Sequence, residues 1–201
     1  MDEMREVLDF WFAEDTRALW FAPAPDFDQA IRARFGQTFA RAAAGELKRW
    51  EEEAEGCLAL CLLLDQMPRN MFRGTPAAYA TDRTAREVAR RAVDRGFDRG
   101  LPPDQKQFLY LPLSHSERLD HQRRAVQLFE AAGFDEETLD YVRGHLSIIR
   151  RFGRFPHRNA ILGRASTPEE IAFLAQHPED YGQSAQPRST ELVQSRDAGA
   201  G

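Results

Sequence analysis

Only two cysteines occur among the 201 residues, and no apolar run approaches the ~20 residues that a membrane-spanning helix needs. The longest such run, Cys57 to Leu64, holds both cysteines at i and i+4. Zinc sites use more ligands at other spacings, so these are expected to be reduced thiols in the core, and no metal is expected. Positive charge is also in deficit, with 27 Lys and Arg against 32 Asp and Glu and a net charge of −5. General nucleic-acid binding normally shows the opposite balance, so no nucleic-acid partner is expected. Acids stand in Met1-Asp2-Glu3-Met4-Arg5, where a signal peptide would carry bases, which points to a cytoplasmic protein without a membrane partner. A Gly-rich phosphate loop, a nucleophile elbow and an i, i+4 histidine pair are all missing, so no cofactor is implied.

Strand-like alternation of polar and apolar residues is missing too, and β-branched residues are few. Leu and Ala dominate segments of helical length punctuated by Gly or Pro, which makes this an all-α chain. At this length, with 42% hydrophobic and 29% charged residues, one domain with a substantial core is expected. Helices are predicted over Asp2 to Ala13, Asp26 towards Ala44, Cys57 to about Met67, and Asp82 to Arg95 before Gly96. Leu47 to Glu55 reads as a short helix or turn. A further helix opens at Pro102-Pro103-Asp104 with a kink at Pro112, followed by Ser116 to Ala132 and Asp135 to Arg151. A short eighth helix starts at the capping box Thr167-Pro168-Glu169-Glu170. Short connections favour antiparallel pairs stacked in a bundle or solenoid. The single helical domain is expected to end near residue 181, and the Gln-, Ser- and Gly-rich stretch 182–201 reads as a disordered tail.

Three places set polar groups against this apolar frame. The run ending at Leu64 leads straight into Asp65 and Gln66, with Arg69 and Asn70 following Pro68. A carboxylate there should be enclosed and needs a cation, from Arg69 or from an arginine late in the chain. It serves either as a structural ion pair or as a pocket wall or general base. Second, if helix continues past Pro112, then His115, Leu119, Gln122, Val126 and Phe129 share one stripe, with His115 and Gln122 as its polar members. Glu117 then points away and reads as a first-turn helix charge. Third, Arg150-Arg151-Phe152-Gly153-Arg154-Phe155-Pro156-His157-Arg158-Asn159 gathers four arginines on a segment that Gly153 and Pro156 turn out of helix. Arg154 and Arg158 offer forks suited to carboxylate or phosphate, and the clustered charge should keep His157 neutral. The same arginines could instead clamp Asp65, Glu117 or Asp120.

These segments resemble the bacterial domain-of-unknown-function family 924. The resemblance rests on Val7-Leu8-Asp9-Phe10-Trp11-Phe12 with Trp20-Phe21, Leu63-Leu64-Asp65-Gln66-Met67-Pro68-Arg69-Asn70, Phe108-Leu109-Tyr110-Leu111-Pro112 with His115-Ser116-Glu117, Arg151 through Asn159, Leu162-Gly163-Arg164 and Ser166 through Glu170. It implies an all-helical fold like that of tetratricopeptide-repeat proteins, and it implies no activity. Three functions follow from the residues alone. In one, a scaffold holds a small anionic metabolite or an acidic peptide end, through Arg69, Arg154, Arg158, His157 and Asn159, with Asp65, Gln66, Asn70, His115 and Gln122 lining the site. In another, the same residues form a cofactor-independent active site with Asp65 or His157 as base and His115 as acid. In the third, Phe10, Trp11, Phe12, Trp20 and Phe21 serve a protein–protein adaptor, although packing in the core accounts for them more cheaply.

Overall fold

The computed structural model describes residues 2–177. The expected domain end at residue 181 and the tail 182–201 lie outside the described residues. Among those described there are nine α-helices and no strand. They are α1 (Glu3–Trp11), α2 (Pro25–Ala43), α3 (Ala54–Cys61), α4 (Met67–Met71), α5 (Asp82–Asp94), α6 (Pro103–Ser114), α7 (Leu119–Ala132), α8 (Glu136–Phe152) and α9 (Pro168–Gln176). No helix among the described residues is long and apolar enough to cross a membrane.

The apolar run from Cys57 becomes the centre of the bundle. Every residue from Gly56 to Pro68 is buried, and α1, α2, α5 and α6 pack around this segment. The predicted third helix is really α3 and α4 joined through a π-helical turn over Leu62–Gln66, where the Met67 amide reaches back to the Leu62 carbonyl. Pro68 has no N–H to return to the preceding turn. The Leu64 carbonyl accepts the Thr81 hydroxyl at 2.6 Å, so Thr81, which precedes α5 and makes no side-chain cap bond to it, ties α5 to the π-turn. Wide turns of this kind occur often at functional sites, because the extra residue re-aims the side chains it carries. Here those side chains are Asp65 and Gln66.

Both cysteines are free and buried, as the spacing implied, and burial pushes the Cys57 thiol up to about 11. The N-terminal aromatics mostly enter the core. Trp11 and Phe108 are fully buried, Trp20 stands 4.7 Å from Phe108, and only Phe21 of this group is largely exposed.

Helices α6, α7 and α8 pack in succession through short turns. The helix does not carry across residues 115–118, against the single-stripe expectation. Gln122 and Phe129 are nonetheless buried, because α7 restarts at Leu119 with the same face inward. Gly153 closes α8 in the left-handed conformation (φ +69°), which a side chain rarely adopts, and Pro156 opens a single 3-10 turn to Arg158. The capping box of α9 forms as the sequence indicates, with Glu170 at its third position. These two stops put the late arginines between α5, α6 and α9.

Candidate functional site

The π-turn sets Asp65 in the interior with no exposure, and His115, the residue that ends α6, meets it there. His115 Nδ1 lies 2.9 Å from both carboxylate oxygens, the Gln66 side-chain amide donates to Oδ2 at 2.6 Å, and Arg69 Nη1 stands 3.3 Å from Oδ1. Burial alone would raise the Asp65 pKa, but the Arg69 charge, with the hydrogen bonds from His115 and Gln66, outweighs it and holds the carboxyl well below its ordinary range. An ionised carboxylate has no proton to give, so Nδ1 carries the hydrogen. Burial also keeps the His115 ring below its ordinary imidazole value, against the pull of Asp65. The ring is therefore neutral at pH 7, and Nε2 is the nitrogen able to exchange a proton.

A second ring of charge encloses this pair. Arg69 bonds both oxygens of Asp82 at 3.0 and 3.1 Å, and Arg158 approaches Asp82 at 3.6 Å while donating to the His115 carbonyl at 3.0 Å. The Arg158 guanidinium lies over the rings of Tyr79 and Phe155, at 4.8 and 4.4 Å. His145, on the buried side of α8, bonds the Ser114 carbonyl at 3.1 Å and faces His115 with centroids 6.2 Å apart. His157 is held neutral as expected, pushed down to about 3, but the chief cause is burial, with Arg158 second.

The ten-residue arginine segment does not form one shelf. Arg154 turns to Glu170, with bonds of 2.6 and 2.8 Å, and Asn159 donates to Ser166 and Glu170. Arg151 pairs with Glu169, so these side chains fasten α9 to the body. The acids named beforehand take other cations. Glu117 is not a first-turn helix charge, since it accepts the Phe155 amide and a bidentate pair from Arg164, and Asp120 pairs with Arg118. Gln122 donates to the Ser114 and Ser116 carbonyls at 2.6 and 2.7 Å, satisfying the open end of α6. Asn70 donates to Asp28, which Arg73 also binds, beside a cleft of about 500 Å³ lined by Pro23, Pro25, Gln29 and Arg32.

The predicted residues thus divide. Asp65, Gln66, Arg69, His115 and Arg158 share one cluster with His157 at its edge, while Asn70, Gln122, Arg154 and Asn159 are engaged elsewhere. Asp82, Tyr79 and His145 complete the cluster and were not foreseen. Asp82 reads as an ordinary first-turn acid in the sequence, whereas His145 sits three residues after Val142 on an apolar stripe and could have been flagged.

A family model described as a bacterial protein of unknown function, DUF924, matches residues 7–178. The chain belongs to that family. A solved structure of a protein of unknown function, ATU0120 from Agrobacterium tumefaciens, is similar to this DUF924 chain at 44% identity and a TM-score of 0.82, covering 87% of this chain and 97% of its own. No curated protein matches.

The three neutral histidines of this DUF924 member give it a defined response to acid. Burial is the first cause of the lowered value at His115, His145 and His157 alike. In the unfolded chain each takes up a proton near pH 6.5. The unfolded state then binds more protons than the folded one, so stability rises with pH through that window and falls as pH drops below it. Asp65 acts in the same direction lower down, because its depressed value makes its contribution present above the ordinary carboxylate range and lost on acidification. Urea unfolding is expected to show a loss of about 1 kcal/mol between pH 7 and 5.5 for each histidine that stays neutral. A flat profile over that interval would contradict the assignment.

Proposed function

We propose that this protein is an enzyme working without a cofactor, in which His115 exchanges a proton with the substrate, Asp65 orients it, and Arg158 receives the substrate's negative charge. The observation that supports this is the fully buried Asp65 carboxylate placed 2.9 Å from His115 Nδ1. A carboxylate in that position fixes the ring tautomer, leaves Nε2 as the base, and stabilises the imidazolium that forms when Nε2 takes a proton. The π-turn supplies the means, because it points Asp65 across the core at a residue from another helix. The ligand-holding scaffold uses the same arginine but gives the Asp65–His115 pair no chemical role.

Two measurements test the reading. Nitrogen chemical shifts of the His115 ring should report the Nδ1–H tautomer at pH 7, and an Nε2–H or charged ring would count against it. Thermal-shift hits from carboxylated and phosphorylated metabolites are then assayed for turnover with wild type and His115→Gln. A loss of roughly 10²–10⁴-fold with folding intact is expected. Turnover that survives in the variant would remove His115 from the chemistry.

A further inference from the structure

Arg158 is only 6% exposed, yet its Nε is buried with no hydrogen-bond partner among the described residues. Buried donors in native structures are nearly always paired, and an unpaired one on a charged group is costly enough to call for a missing acceptor. The rest of the guanidinium shows which acceptor fits. Nη1 is engaged by the His115 carbonyl and by Asp82, and the Tyr79 and Phe155 rings lie against the central carbon. The donor left without an acceptor is thus the Nε–H, in the guanidinium plane. The guanidinium edge that carries Nε presents its N–H parallel to one of Nη2, the arrangement that matches the two coplanar oxygens of a carboxylate.

Charge decides between carboxylate and phosphate. The cluster holds two cations, Arg69 and Arg158, against two anions, Asp65 and Asp82, and its three histidines are neutral. One added negative charge is tolerable beside an under-coordinated guanidinium. A phosphate monoester carries nearly two at pH 7, and Asp82 and Asp65 would oppose the second in a desolvated site. From this geometry we infer that the substrate of the His115 site carries a carboxylate, which binds in plane on the Nε edge of Arg158. The inference rests on the functional reading of the Asp65–His115 cluster given above. Tyr79 and His157, which are partly exposed, lie between Arg158 and the surface side of the cluster and are the residues a ligand would have to pass. The carboxylate can belong to a small free acid or to the C-terminus of a peptide.

Thermal unfolding of the full chain with acetate, propionate, benzoate and a tripeptide with a free C-terminus tests this, against inorganic phosphate and sulfate at matched ionic strength. At least one carboxylate is expected to raise the midpoint, by about 5–10 °C at about 100 times its dissociation constant. Phosphate and sulfate should leave it unchanged. Arg158→Lys keeps the charge but loses the parallel donors, and should abolish the response. A response to the simple acids identifies a free acid as the source, and a response to the tripeptide alone identifies a peptide end. The inference is overturned if no carboxylate acts, if phosphate or sulfate acts as strongly, or if the lysine variant still responds. Should that variant fail to fold, the Nε–H nuclear resonance of Arg158 in the wild type decides. Movement on titration with the carboxylates supports the site, and an unchanged signal overturns it. His115→Gln should retain carboxylate binding, so lost turnover with intact binding concerns the proton-transfer role alone. A His115-dependent reaction on a substrate without a carboxylate would overturn only the present inference.

Discussion

Asp65→Ala is expected to lower the stability of the protein by about 3–5 kcal/mol in urea unfolding at pH 7. The reason is what the substitution leaves behind. Gln66, His115 and Arg69 all aim donors at this carboxylate, and none of the three is exposed enough to turn to water instead. Arg69 keeps Asp82, so its charge is not abandoned, but the His115 Nδ1–H and the Gln66 amide lose their acceptor in the interior. Removing both members of the pair should cost less than the sum. Asp65→Leu combined with His115→Leu discards the orphaned donor together with the carboxylate, and apolar replacement of a buried pair is often close to neutral. A single Asp65→Ala variant within about 1 kcal/mol of wild type would mean that water reaches these groups more freely than their burial indicates.

The second large effect opposes what helix propensity alone suggests. Gly56 lies within α3, where glycine is worth about 1 kcal/mol less than alanine, so Gly56→Ala should stabilise an isolated helix. In the folded protein a methyl group at that position would lie 2.8 Å from the Trp50 carbonyl carbon and 3.0 Å from its Cα, and nearer still to the carbonyl oxygen. The obstacle is backbone, which cannot rotate aside as a side chain can. The 3-10 turn over Lys48–Glu52 would have to leave α3, together with the half-buried Trp50 ring. A net loss of about 3 kcal/mol, at the upper end of overpacking costs, is expected from thermal or urea unfolding. Any gain in stability would show that the turn yields easily. Gly36, also helical, has nothing within 4 Å of the same construction and should behave as propensity suggests.

Both variants bear on how much a reader of the sequence can see. Asp65 is legible because an apolar run leads directly into it, and a buried carboxylate requires a positive partner on electrostatic grounds alone. Arg69, one helical turn away, is legible for the same reason. His115 is not legible as the partner that meets both oxygens, since it lies 50 residues on and belongs to another helix. Arg154 and Arg158 look equivalent in a string of letters. The turn at Gly153 and the 3-10 turn at Pro156–Arg158 send one outward to Glu170 and the other inward to Asp82. Gln122 is correctly placed on a buried face, yet its role there is to satisfy the end of α6, which no periodicity announces.

Local chemistry acts over a few residues, and it is what the sequence determined by itself. Helix periodicity, the stops at Gly96, Gly133 and Gly153, the capping box at Thr167, the burial of the Cys57–Leu64 run and the family pattern all follow from neighbours in the chain. Tertiary structure alone decided the pairings. Which acid each arginine meets, that the central helix widens into a π-turn, that Gly56 touches Trp50, and that Asp65 faces His115 depend on how helices pack from distant parts of the chain. Those contacts are selected by the joint fit of the whole core, so no window of sequence contains them.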